Sequence, residues 1–455
     1  KRLTGFKEIQ YPHTVENIFC VIMDVFELYG ILGKVGSITF DNASNNTATI
    51  PMFRNRLNPP HGLHLFHQRC ICHVINLIVQ VGVKEIVEYV DHIRFALAFV
   101  MIGERRRQDF KLMCEPFGLP HKKFNLDVPH RWNSLYLMLE SCLPYKDPLI
   151  CYYNRNISDN IRPLDEIDFT MVKYFVEFLK PFYNATHALS GVYYSTSCMA
   201  LQQLYEISST FEKFGNYPIF NEIVIKMKEN FLKYWNNIPL LYTLTACLDP
   251  RIKLVGVQTL IESIGGALKI PLDMNIRKVE ENLNDMFDNY AIKYGEDDQN
   301  QAVTESQGKY SSSSSFFSGS YNLLRVGTQP STSSNIYSRQ ELNTFNSTRY
   351  DYMFQTYKEW EQFDVIDFWK SNSLAYPILA LMARDLLTIP VSSVACEQVF
   401  SISGNILDER RNRLNGDILE ALMCVKDWEL ARHRTQNMFK QEDEDCIEQL
   451  GQLNI

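Results

Sequence analysis

Residues whose types and spacing could do chemistry fall in four places along the 455-residue chain. Val35–Phe40 reads VGSITF, a predicted buried strand, and Asp41-Asn42-Ala43-Ser44-Asn45-Asn46 follows it before a helical stretch over Thr47–Leu57. A carboxylate at the C-terminal end of a strand, ahead of a helix, stands where α/β proteins place function. Asp is also an ordinary former of turns and helix caps. The next group is His64, His67, Cys70, Cys72 and His73, which offers the thiolates and imidazoles that zinc prefers. Its spacing lacks a second, distant ligand pair. The expectation is therefore no zinc, but a short strand up to about Cys70 and then a helix burying Ile75, Leu77 and Ile78. Arg105, Arg106 and Arg107 form a compact basic patch suited to phosphate, or else a solvated helix end. Arg131 and Trp132 come last, and by residue type alone Trp132 reads as a core aromatic.

The elements that must position these groups follow from periodicity. Lys1–Ile9 is expected as a strand, and His13–Tyr29 as an amphipathic helix carrying Val15, Ile18, Phe19, Ile22, Met23, Val25, Phe26 and Leu28. From about Val81 to Tyr294 the pattern is helical, with prolines as punctuation. Gln299–Asn343 is rich in serine and too poor in apolar residues to order itself, which predicts a flexible linker. Beyond it, Leu374–Leu387 predicts a buried helix ended by Pro390. Ser392 or Ser393 then caps a second helix, with Val394, Val399 and Phe400 facing inward and Gly404 as its stop. A third helix repeats Ile418, Leu419, Leu422, Val425 and Trp428. Such an apolar cluster suggests a surface covered by another chain, although a self-contained core explains it too.

Bulk properties narrow the classes. The net charge of −8 is not that of a dedicated nucleic-acid binder, so any DNA contact must use local patches. Eleven cysteines without framework spacing argue for reduced thiols, as in the cytosol or nucleus. No apolar run approaches bilayer length, so no membrane partner is expected. The first residue is Lys1, not Met, and the expectation is a fragment of a longer protein.

Within Asp364–Trp428, the pieces FWK (Phe368–Lys370), YPILALMARDLL (Tyr376–Leu387), IPVSSVACEQVFS (Ile389–Ser401) and SGNILDERRNRLNGDILEALMCVKDW (Ser403–Trp428) follow in order. The region resembles the C-terminal dimerisation region of hAT-superfamily transposases, in particular domesticated plant members. DNASNN at Asp41–Asn46, Cys70-x-x-His73 and DVPHRWNS at Asp127–Ser134 are similar to further motifs of that family. The resemblance implies that Asp41 and Glu397 are the second and third acidic residues of an RNase H-like, DDE-type site. Such a site holds two Mg²⁺ ions on hard oxygen ligands. It implies that the first acidic residue lies upstream of Lys1, as does a BED-type zinc finger. It further implies that Cys70 and His73 organise the catalytic region and DNA end, and that Trp132 stacks on a displaced base while Arg131 holds phosphate. Trp369, Leu379, Leu381, Phe400, Leu419, Leu422 and Trp428 are expected on the dimer surface.

The expected fold is α/β plus a large all-α insertion: an RNase H-like (DDE transposase) core, incomplete at its N-terminus and interrupted by a helical domain. The expected bounds are 1–80 for the partial core, 81–298 for the insertion, 299–345 for the linker and 346–455 for the dimerisation region. The expected function is that of a nuclear, DNA-binding hAT transposase-like homodimer, domesticated or inactive as the chain stands, with no small-molecule substrate. Mg is required only if the full-length protein is active. The alternatives are an active Mg-dependent DDE transposase at full length and a helical interaction scaffold without a DNA role.

Overall fold

Thr14 starts the first helix by accepting the Asn17 amide on its hydroxyl at 3.2 Å, which satisfies one of the N–H groups left without an intrahelical partner. That helix, α1 (Val15–Leu28), leads to strand β1 (Ile38–Phe40) and helix α2 (Ser44–Arg56). After the short α3 (Leu63–Phe66), strand β2 (His67–Arg69) pairs parallel with β1, Ile38 opposite His67 and Phe40 opposite Arg69. Helix α1 packs on α2, and Met23, Ile38, Ile50, Phe53, Leu57 and Phe66 form a small core between them and the strands. Phe53 is fully buried at its centre, with the Phe19 ring 4.9 Å away. The structure is a computed structural model that describes residues 2–435 apart from 10, 60, 61, 130, 159, 296–333, 355 and 407–414.

Beyond β2, every regular element among the described residues is helical. Helix α4 (Ile71–Glu85) buries Ile75 and Ile78 as expected, together with Val74 and Val79 at three-to-four spacing, whereas Leu77, expected inside, is only half-buried. It is followed by α5 (Val87–Met101), α6 (Glu104–Cys114), α7 (Trp132–Cys142), α8 (Lys146–Asn156) and α9 (Glu166–Leu189). Then come α10 (Ala200–Gly215), α11 (Asn221–Trp235), α12 (Leu240–Cys247), α13 (Lys253–Leu268) and α14 (Ile276–Gly295). Asp165 starts the long α9 with a reciprocal capping box to Asp168. Helices α4 and α11 cross closely at Gly82, where a Cβ would overlap the Met227 sulfur.

The C-terminal part comprises α15 (Ser334–Ser347), α16 (Tyr357–Glu361), α17 (Val365–Ser371), α18 (Pro377–Leu387), α19 (Val394–Ile406) and α20 (Gly416–Thr435). Its helices α15, α17 and α18 share one core with the middle helices. The Trp369 indole N–H donates to the Leu248 carbonyl at 2.8 Å, Ser195 Oγ to the Leu387 carbonyl at 2.8 Å, and Tyr290 Oη to the Asp385 carboxylate at 2.9 Å. Buried apolar residues from Leu65 to Val391 form a single cluster.

Several expectations change. Arg2–Ile9 forms no strand. It is an arm held by α20: the Leu3 amide donates to Asp427 at 2.8 Å, the Phe6 amide to Glu420 at 3.1 Å, and Trp428 Nε1 donates to the Leu3 carbonyl at 2.7 Å. Those bonds to side chains give its backbone polar groups partners without a neighbouring strand. The expected linker also ends earlier than position 345, because α15 buries Leu342 and Phe345 in the main core; residues 299–333 lie outside the described part. Helix α18 starts at Pro377, whose missing N–H costs nothing in the first turn, and Leu374 before it is 92% exposed. Gly404 lies inside α19 and does not end it.

Candidate functional site

The edge where β1 and β2 end is held to the far end of the chain by backbone and side-chain bonds. The Cys70 amide donates to the Phe40 carbonyl at 2.7 Å, continuing the parallel pairing by one step. The Ile71 amide donates to the Val391 carbonyl at 2.8 Å, and Thr39 Oγ1 to the Pro390 carbonyl at 2.6 Å. Ser392 Oγ accepts the Val394 amide at 3.1 Å, and the Glu397 amide donates to the Ser393 carbonyl at 3.2 Å as the first turn of α19 forms. Asp41, directly after β1, and Glu397, in the first turn of α19, therefore flank one junction.

Asp41 is shaped by its turn. Its Oδ1 accepts the Ala43 amide at 2.9 Å and the Asn46 side-chain amide at 2.7 Å. Next to it, both polar side-chain atoms of Asn42 are buried without a hydrogen-bond partner. Glu397 Oε1 accepts from Ser393 Oγ at 3.2 Å. Its pKa is raised from the ordinary carboxylate value. Partial desolvation at the junction is the main cause, followed by the negative character of Cys70; the Asp41 charge adds to it, while Ser393 and His73 pull the other way.

Cys70 closes the junction from beneath. Its sulfur accepts the Ser393 amide at 3.2 Å. Its thiol pKa is drawn down to about 5, first by a hydrogen bond with Cys72 and then by Ser393 and the His73 amide, against the cost of burial. The Cys72 thiol is pushed up by the same Cys70 contact and by burial. Cys70 is fully buried, so it shapes the junction and cannot itself touch DNA, which corrects its expected contact role. His73 is half-buried and lies within electrostatic reach of Glu397.

The five residues of zinc-ligand type do not form one cluster: Cys70 and Cys72 are in contact, and His64 and His67 lie apart from them. Cys70 faces Ser393, Cys72 sits by the Thr186 carbonyl at 3.8 Å, and His64 and His67 line a separate cavity. Among the described residues, no group of three or more His, Cys, Asp or Glu could hold a metal ion.

Trp132 is 4% exposed, with its ring edge-on to Tyr183 at 6.5 Å. Its faces are packed inside the helical core, which corrects its assignment to base stacking. Arg131, at the start of α7, remains exposed. In the basic triplet, Arg105 is open to solvent near Asp109 at 3.9 Å, Arg106 lies over the Phe99 ring at 3.8 Å, and Arg107 pairs with Glu104 at 2.8 Å. These partners offset part of its positive charge.

The expected dimer residues divide. Trp369 and Leu379 are buried inside the monomer, and Leu381 is half-buried against the same core, so Trp369 and Leu379 hold this fold together and are unavailable to a partner. Leu419 is also buried. Phe400 is not inward as expected: it is 62% exposed, with the Phe6 ring 5.1 Å away. Leu422 and Trp428 are exposed on α20 together with Ile418 and Val425. That helix thus buries Leu419, Met423 and Ala431 and leaves a second apolar stripe bare. Sequence reasoning missed the roles of Thr39, Asn42 and Ser393 in the junction. Only the Ser393 position beside a helix start carried any signal.

Comparison with known proteins finds four family models along the chain, and the RNase-H-fold match falls within the stretch 81–298 expected as a helical insertion. The hAT family C-terminal dimerisation region matches residues 347–429, the hAT-like transposase RNase-H fold matches 193–290, the ZBED1 RNase-like domain matches 1–67, and the ZBED1 RNase-like helical domain matches 68–174. These matches are to hAT-type families: an RNase-H-fold hAT domain, a helical domain and the hAT C-terminal dimerisation region. It is 27% identical to "Putative AC transposase" of Zea mays, over 96% of this chain and 54% of that protein. It is 26% identical to RICESLEEPER 2 of Oryza sativa subsp. japonica, over 94% and 60% respectively, and 25% identical to DAYSLEEPER of Arabidopsis thaliana, over 97% and 61%. The chain thus spans little more than half the length of these relatives. No helix among the described residues is long and apolar enough to cross a membrane.

Proposed function

We propose that this chain is the core and dimerisation part of a nuclear, DNA-binding hAT transposase-like protein that acts as a homodimer. The observation that carries the reading is the junction that sets Glu397 within electrostatic reach of Asp41 across more than three hundred residues of intervening chain. A helical segment inserted between two acidic residues of one site explains why they converge.

The donor chemistry of the junction fits Mg²⁺ in part. Asp41 and Glu397 offer hard carboxylate oxygens, their mutual repulsion is what a cation relieves, and the buried Asn42 amide beside them has no partner among the described residues. When bound, Mg²⁺ would supply charge neutralisation at a phosphate under attack. Asp41 and Glu397 would hold it, with Ser393 and Asn46 fixing their orientation. The family's first acidic residue has no counterpart among these ligands, so on this reading the chain alone binds DNA and does not cut it. A full-length, Mg-dependent transposase is the second reading, favoured by the name of the Zea mays relative.

Fluorescence anisotropy with duplex DNA across a salt series tests the DNA role. Affinity should fall steeply with salt, since phosphate contacts release counterions. Affinity that is absent at low salt, or flat across the series, would sink the proposal. A strand-cleavage assay with Mg²⁺ on this chain and on the full-length protein separates the two readings.

A further inference from the structure

A cavity of about 240 Å³ lies beside the strand pair, between β2 and the turn from α11 to α12. One wall is His64, His67 and Arg69; the other includes Tyr234 and Trp235. Strand alternation puts His67 and Arg69 on one face, while Gln68 between them is buried and bonded to the Leu65 carbonyl at 3.0 Å. The Arg69 guanidinium is exposed and meets no carboxylate among the described residues. The His67 Nε2 is buried without a hydrogen-bond partner. Burial first, and then the charges of Arg69 and Arg54, hold the imidazole pKa down at about 4, so at neutral pH it is uncharged and one ring nitrogen can donate. An unpaired guanidinium, an unsatisfied imidazole and an aromatic wall are what a phosphate joined to a flat ring would satisfy.

Size and position narrow the ligand. The cavity is smaller than the roughly 300–1,000 Å³ of ordinary small-molecule pockets, which suits one nucleotide unit. Arg69 pairs in register with Phe40, the residue before Asp41, so the cavity borders the strand next to the one whose end carries the carboxylate.

We propose that this cavity is a single-nucleotide subsite for a DNA strand entering the Asp41–Glu397 junction, with Arg69 and His67 on the phosphate and Tyr234 beside the base. The subsite rests on the DNA-binding reading and specifies which part of the chain holds the strand next to the junction.

Two measurements on the whole 455-residue chain test it. The first is anisotropy with a labelled single-stranded oligonucleotide over a salt series. Arg69→Gln should weaken binding about tenfold and lower the salt slope by about 0.7, the share of one phosphate contact on a single strand. His67→Gln should also weaken binding, and unchanged circular dichroism melting shows that both variants fold. The second follows the His67 ring by NMR while deoxyadenosine monophosphate, deoxyadenosine or inorganic phosphate is added. Saturable shifts with the nucleotide, weaker ones with either fragment, and their loss in Arg69→Gln are the expected result. Oligonucleotide binding by the native chain that Arg69→Gln leaves unchanged would overturn the subsite and leave the DNA reading standing. No oligonucleotide binding by the native chain at any salt would overturn both. Shifts as large with inorganic phosphate alone would reduce the cavity to an anion site and overturn the nucleotide assignment.

Discussion

The Ser393 amide donates to Sγ of Cys70 at 3.2 Å, joining residues 323 positions apart. The bond places the start of α19, and so Glu397, over the turn that begins at Asp41. A sulfur at a helix start, facing the N–H groups of two helices, accepts such a bond better as its thiolate character grows. The junction therefore depends on a residue that touches no substrate.

The raised pKa of Glu397 gives a pH prediction. A carboxylate raised in the folded state favours folding below its ordinary value of 4.5, and that contribution is lost as pH rises through the folded value. A divalent cation held by Asp41 and Glu397 should reverse the trend, because it binds the ionised form. The rise in melting temperature caused by Mn²⁺ should grow from pH 5 to about pH 8, and Asp41→Asn with Glu397→Gln should abolish it. An equal rise in the double variant would refute the metal role.

Glu341 offers a second, independent titration. Its carboxylate accepts the Leu379 amide at 2.7 Å, yet burial pushes its pKa up to about 7. Between its ordinary 4.5 and about 7 the folded chain binds more protons than the unfolded one, so stability falls as pH rises. The expected loss is about 1–2 kcal/mol after allowance for partial solvation. Urea melts across that range should show it, and Glu341→Gln should flatten the profile.

Trp132→Ala should destabilise the fold by about 3–5 kcal/mol in urea, the cost of emptying a large aromatic site. Arg131→Ala should leave stability unchanged and reduce the salt slope of DNA binding by about one unit. A stable Trp132→Ala variant with selectively lost DNA binding would restore the stacking role that burial argues against.

The bare stripe of α20 can be probed at Val425, which is 60% exposed. Val425→Asp and Leu422→Glu should shift the chain from dimer to monomer in sedimentation, with the melting temperature nearly unchanged. Trp369→Ala should instead unfold the chain, because it empties the core and leaves the Leu248 carbonyl without its donor.

The arm can be probed by hydrogen exchange. Glu420→Gln replaces the carboxylate that accepts the Phe6 amide and pairs with Lys7 at 2.6 Å. The Phe6 and Leu3 amides should exchange faster in the variant, while the amides of α4 should not change.

What the sequence by itself determined was local. The pattern of Ile75, Leu77 and Ile78 specified α4, VGSITF specified the strand before Asp41, and Pro390 marked the end of α18, because periodicity and backbone chemistry act over a few residues. The ordered motifs of Asp364–Trp428 also carried the family. What only the tertiary structure decided was which apolar residues meet each other. Trp132, Trp369 and Leu379 look as suited to a base or a partner chain as to a core, and packing alone places them inside. Likewise, no local signal says that Arg2–Ile9 lies along α20 instead of pairing as a strand, or that Cys70 meets Ser393. Those contacts span more than three hundred residues, beyond the reach of any local pattern; the second forms because α15, α17 and α18 pack on the middle helices and bring residues 390–393 to the edge where β1 and β2 end.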